Sequence, residues 1–312
     1  GSLAMVLGAI WLLNRIVALS AQSVLAVTQA TMAMWLFILA YAVLGPLHYF
    51  TEINWVRDNG YFVKSKSWIY IILSFSLLIS MPTLLKLPLF ESLEKAQLFQ
   101  FLKNDFPEIG NSLYFICILG AGVLLLIKSK KSRLIALAII VVLALIFQYF
   151  PLYHIVLGIL LPTILHVYVF TILFMWYGSL KSDSKIGYFN VVLAAAIPLI
   201  IAFLPIEKFN YHFSDVFKTI FVENNFHYLN AHLSGLLGLT DGKSFFFYEA
   251  IDLKIQIFIA FAYIYHYLNW FSKTTIIGWH EKLTTKKSIL ISILWIVSIA
   301  LYFIDYRLGL SL

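Results

Sequence analysis

Gly45-Pro-Leu-His-Tyr-Phe-Thr-Glu52 sets a histidine and a carboxylate four residues apart, at the close of an apolar stretch that begins near Thr31. That spacing puts His48 and Glu52 on one helical face. At the polar end of a membrane span, an imidazole beside a carboxylate can pass a proton or hold an ion. Pro46 removes one backbone donor and frees a carbonyl just before the pair. The plainer reading makes His48 an interfacial hydrogen-bonding side chain and Glu52 a solvated residue opening the next loop.

Two more places repeat this chemistry. His166 stands near the middle of a candidate span, 154–176, inside a run from Leu134 to Leu180 that holds no Asp, Glu, Lys or Arg. A buried neutral histidine satisfied by a carbonyl fits there, as does a metal ligand or a proton relay. His154, twelve residues earlier, lies about 18 Å away along a helix axis and cannot share an ion with it. Farther on, Glu249, Asp252, Gln256, Tyr263, His266 and Trp270 recur at spacings of three, four and seven, which draws one polar stripe down a helix. Such a stripe lines a cavity, a path or another polar helix, or forms a ladder of structural hydrogen bonds. Glu52, Glu249 and Asp252 are the candidate acid and base groups. His280 follows the stripe on the same side of the membrane as His48 and His266.

Imidazoles with a carboxylate suit Fe, Cu or Zn, whereas Mg and Ca take oxygen ligands. His48, His166, His266 and His280 are therefore the candidate metal ligands. No His-x-x-x-His, His-x-x-His-His or His-Glu-x-x-His pattern occurs, so the signatures of membrane desaturases, hydroxylases and zincins are absent. His212, His227 and His232 fall in a separate loop, where interfacial hydrogen bonding is the expected role.

The elements that must position these groups are membrane helices. The 312 residues are 62% hydrophobic and only 12% charged, with mean hydropathy +0.90, against about a quarter charged in soluble domains. This pattern specifies an all-α, polytopic integral membrane bundle of eight to nine transmembrane helices forming a single domain, 1–312. Nine candidate spans fall near residues 5–27, 30–50, 68–85, 111–127, 134–150, 154–176, 188–205, 245–271 and 288–304. The excess of 22 Lys and Arg over 15 Asp and Glu concentrates on alternate loops, as cytoplasmic loops require, and gives no reason to invoke nucleic acid. This alternation puts the N-terminus in the cytoplasm. The residues around 86–110 read as an amphipathic surface helix, and those around 224–239 as an interfacial or re-entrant one. Cys117 stands alone, so neither a disulfide framework nor a thiolate cluster is expected. No basic segment precedes a cleavable apolar stretch, so no signal peptide is expected.

The stretch from Gly45 to Glu52 resembles the first metal-binding motif of the membrane-bound bacterial and archaeal β-carotene-cleaving dioxygenases. In that motif a Gly-Leu-Pro-type turn leads to a histidine followed four residues later by an acid. The resemblance implies an iron ligand at His48 and the matching acid at Glu52. Tyr265-His-Tyr-Leu-Asn-Trp270 resembles a later ligand segment, with His266 in the ligand position. The family's further motif of two histidines four apart has no counterpart here.

The combined expectation is a metal-dependent oxygenase or oxidase of the bacterial inner membrane. Its metal is iron, with Cu or Zn as alternatives, and its partners are membrane lipids and a lipid-soluble substrate such as a carotenoid, a quinone or an acyl chain. The rival is a transporter or channel whose Glu249, Asp252, Gln256 and His266 form a proton or solute path. No inverted repeat supports that rival. A bis-histidine haem protein is a third alternative.

Overall fold

In the computed structural model the described residues are 22–60, 66–204, 213–272 and 278–311, with side chains described from Met34 onward except at 66–68, 72, 107, 108, 111 and 151. Regular structure among them is helical throughout, without a strand. In chain order the helices are α1 (Gln22–Asp58), α2 (Lys66–Leu84), α3 (Gln97–Gln100), α4 (Phe106–Leu126), α5 (Lys130–Phe147), α6 (Pro151–His154), α7 (Phe170–Ser182), α8 (Lys185–Ala202), α9 (Asp215–Glu223), α10 (Phe226–Leu236), α11 (Ala250–Ser272), α12 (Thr285–Ile304) and α13 (Tyr306–Ser311). Wider π-type turns over Ile155–Val169 join α6 to α7.

Among the described residues, four helical segments are long and apolar enough to cross a membrane: Met34–Asp58, Leu152–Ser182, Lys185–Ala202 and Thr285–Ile304. They match four of the nine expected spans. Ile69–Leu84 and Ser112–Leu126 are shorter apolar helices, so two further expected spans form helices of reduced apolar length. The expected span near 134–150 is α5, which opens on Lys130, Lys131 and Arg133. The expected span near 245–271 is α11, which carries Asp252 and Lys254. Most of the first expected span, 5–27, lies outside the described residues.

The chain groups into two compact units, residues 1–51 with 163–295 and residues 52–162 with 296–312. No composition shift marks these boundaries because each falls inside continuous helical chain. The second unit is built on α4 against α5, with α2 packed on α4. Its C-terminal end is held by Arg307, which pairs with Asp305 at 2.6 Å and donates to the Lys86 carbonyl at 3.0 Å.

The first unit carries the polar interior. A tight turn joins α7 to α8: Asp183 takes a left-handed conformation at φ 45°, and the Ser184 hydroxyl accepts the Gly187 N–H at 3.1 Å. Gly187 is required there, since a Cβ would come within 2.4 Å of Ser179 Oγ. Tyr265 donates to Met175 Sδ at 3.1 Å, and Tyr168 donates to the Ala194 carbonyl at 2.9 Å. These two bonds fasten α11 to α7 and the preceding π-type turns to α8. Phe213, just before α9, and Phe217 and Phe221 on it stack their rings at 5.3 and 5.7 Å between centroids. All three are buried, so this short helix is an aromatic plug within the first unit.

Candidate functional site

Three histidines from separate stretches of chain meet in the first unit. His48 Nε2 lies 3.1 Å from His266 Nε2, with ring centroids 4.7 Å apart. The His166 ring is 5.2 Å from that of His266. His48 is 1% exposed, and the other two are half-buried.

Side-chain hydroxyls set the geometry. Thr171 Oγ1 donates its single hydrogen to the Val167 carbonyl at 2.7 Å, so toward His266 Nδ1, at 2.8 Å, it can only accept. The neutral His266 ring therefore carries its proton on Nδ1 and presents the Nε2 lone pair to His48. Thr51 works in the same way one turn past His48. Its hydroxyl is shared between the Leu47 and His48 carbonyls at 2.8 and 2.9 Å, and it accepts the Trp270 indole N–H at 2.9 Å. The edge of the Trp270 ring also meets His48, with centroids 5.2 Å apart.

Above the histidines, aromatic packing closes α1 against α11. Tyr267 is fully buried and lies 5.6 Å from both His48 and His266. Tyr263 continues the row at 6.2 Å from Tyr267 and packs on Phe37 and Tyr41 at 5.1 and 5.6 Å. Trp295 donates to the Val43 carbonyl at 2.7 Å, which holds α12 against α1 beside Pro46. The expected stripe on α11 is thus an inward face: Asp252, Gln256 and Tyr263 are buried, and His266 and Trp270 are half-buried.

The remaining sequence candidates are placed differently. Glu52 is half-buried on α1, one turn beyond His48, and Glu249 is exposed just before α11. Asp252 is buried at the start of α11 and bonded to Asn230. His280 is exposed on a short turn, where its ring meets Trp279. Trp279 in turn stacks on Trp270 at 6.3 Å. His227 and His232 lie on α10 against Tyr228, and burial holds both imidazoles below their ordinary range. His212 lies outside the described residues. Thr51, Thr171 and Asn230 were not singled out in the sequence. Thr51 and Thr171 follow His48 and His166 by three and five residues, and a hydroxyl that close to a histidine within an apolar run is the available signal.

With metal to nitrogen bonds of about 2.1 Å, two imidazole nitrogens on one ion stand about 3.0 Å apart at a right angle and about 3.4 Å at a tetrahedral angle. The 3.1 Å between His48 and His266 falls within that span. Among the described residues, no three His, Cys, Asp or Glu side chains stand close enough to ligate one ion as placed. The pair fits the bite of a metal, and His166 is the nearest third imidazole. No protein-family description, characterised protein or solved structure matches this chain.

Proposed function

We propose that this chain is an integral membrane metal-dependent oxidoreductase that holds iron through His48 and His266, completed by His166, and acts on a lipid-soluble substrate by oxygenation or oxidation. The observation that carries the reading is the 3.1 Å approach of two Nε2 atoms, one of them locked as a lone-pair donor by Thr171. Iron held there would supply one-electron and oxygen-activating chemistry.

The chain's own groups do the rest. Thr171 keeps the His266 ring in one tautomer and one orientation, the role a hydrogen-bonded outer partner plays for a ligating histidine. Thr51 and Trp270 brace α1 against α11 one turn away, which keeps the spacing of the nitrogens from drifting. Tyr263, Tyr267 and Phe37 exclude water from one side of the group. Apolar side chains such as Leu36 and Leu39 are exposed along α1 and give a carotenoid, quinone or acyl chain a hydrocarbon surface to follow toward the histidines. Glu52 stands in this reading as the acid or base candidate and His280 as a reserve ligand at the surface, while Asp252, fourteen residues before His266 on α11 and so about 21 Å away along the axis, stands apart from the histidines.

The test is elemental analysis with an absorption spectrum on the purified full chain. About one Fe per chain is expected, lost in His48→Ala and in His266→Ala. A chain free of stoichiometric Fe, Cu and Zn, with activity toward apolar substrates unchanged by both substitutions, would sink the reading. A Soret band would replace it with haem.

A further inference from the structure

A second polar group lies toward the N-terminal end of α11, within the same unit, and nothing in the histidine chemistry accounts for it. Asp252 is 2% exposed, Asn230 0% and Gln256 1%. Asn230 Nδ2 donates to Asp252 Oδ1 at 3.0 Å and to the Asp252 carbonyl at 3.2 Å. Both of those partners are acceptors, so the amide can stand only one way round, with Oδ1 facing elsewhere. Asp252 Oδ2 accepts the Phe246 N–H at 2.8 Å. Among the described residues no Lys, Arg or His pairs with this carboxylate. Lys254, two positions on, reaches the Ala202 carbonyl at 2.7 Å.

Three buried polar atoms are left over. Asn230 Oδ1, Gln256 Oε1 and Gln256 Nε2 have no hydrogen-bond partner. Gln256 stands four residues after Asp252, on the same helical face. A buried amide with neither end bonded is costly, at about 1–3 kcal/mol for each unsatisfied group. A buried carboxylate without a countercharge costs more still. A small cation among the oxygens would balance the carboxylate and satisfy both amide oxygens, leaving only the Gln256 Nε2 donor unbonded.

We propose that Asp252, Asn230 and Gln256 form a sodium site, in which the Asp252 carboxylate and the two amide oxygens replace part of the ion's hydration shell. All the donors are oxygen, which selects a hard ion over the transition metals that suit imidazole. A single carboxylate balances one positive charge, whereas calcium takes six to eight oxygens and commonly several carboxylates. The proposal does not rest on the iron reading.

The purified full chain is followed by intrinsic fluorescence during heating, in NaCl, KCl and choline chloride at equal ionic strength. A saturable rise of roughly 2–4 °C in Tm is expected in NaCl over choline, with a smaller rise in KCl. Asp252→Asn and Gln256→Leu abolish the rise, and Gln256→Leu leaves the Tm in choline unchanged or higher, because it deletes an unbonded amide. His48→Ala keeps the sodium response, which separates this site from the histidine group. Equilibrium binding of radioactive sodium ion to the unaltered chain decides the matter even if both variants fail to fold, with about one displaceable ion per chain expected. Equal Tm in the three salts, a response to CaCl2 and not to NaCl, a response surviving in both variants, or no bound sodium overturns the proposal.

Discussion

α5 and α11 are helices of similar apolar character that fold into opposite circumstances. On α5, Leu134, Ile135, Ile139, Val142 and Leu145 are all more than half exposed, and Leu134 reaches 71%. Only Ile140 and Ala144 are buried. On α11, Asp252, Gln256, Tyr263 and Tyr267 are all below 5% exposed. On α11 the polar residues thus share the buried side with Leu253, Ile255 and Ile259, whereas on α5 most of the aliphatic side chains face outward. An outward aliphatic face beside an inward polar one is what hydrocarbon surroundings would favour, since they leave apolar side chains undriven and require polar groups to find partners within the protein. For such helices the inward face is read from the polar residues, since leucine and isoleucine carry no directional information.

The contrast can be broken most severely at Asp252. Asp252→Leu removes the carboxylate acceptor of the buried Asn230 amide and of the Phe246 N–H, leaving Asn230 only the backbone carbonyl, and a loss of about 2–4 kcal/mol is expected, read from unfolding in mixed detergent. At Thr171 the effect moves from stability to affinity. Thr171→Val frees the His266 ring and lowers metal affinity about 10–100-fold with unfolding little changed, as a competitive chelator titration would show. Trp270→Phe removes the bond to Thr51 and costs about 1 kcal/mol.

A polar loop supplies a pH test of the same rule. The Asp241 carboxyl is held down at about 2 by the Ser244 and Lys243 N–H groups and the Ser244 hydroxyl. A lowered carboxylate stabilises the fold above its ordinary pKa near 3.8 and loses that contribution as the pH falls to about 2. Asp241→Asn should flatten the acid limb of a stability profile between those limits. The smallest change is expected on α5, where Leu134→Ala should shift stability by no more than about 0.5 kcal/mol. A larger effect at Leu134 would mean that this face is covered.

Part of this arrangement was legible before any coordinates. The helical class followed from composition, and the inward face of α11 from Asp252, Gln256 and Tyr263 recurring on one side. His48, His166 and His266 were singled out by depth and residue type, but their mutual distances depend on how three helices cross, which no local spacing encodes. Thr171 and Thr51 stayed hidden because a hydroxyl in an apolar helix ordinarily returns its hydrogen to the preceding turn, and only the approach of His266 or Trp270 gives it a second role. The likeness between His227-Tyr-Leu-Asn230 and His266-Tyr-Leu-Asn269 has no matching placement. Asn230 is fully buried against Asp252, and Asn269 is half-exposed near the end of α11. The division into two units could not be read either, because it interrupts helices where sequence analysis looks for linkers.

Gly45 makes the distance between α1 and α11 adjustable by a single methyl group. A Cβ at that position would lie 3.1 Å from the Tyr267 hydroxyl, so alanine there acts as a thin shim between the helices that carry His48 and His266. Gly45→Ala, paired with Tyr267→Phe to withdraw the opposing oxygen, gives four chains that differ in how closely the two imidazoles can approach. Ranked by the radius of the ion each prefers, they would work as a calliper for the histidine pair.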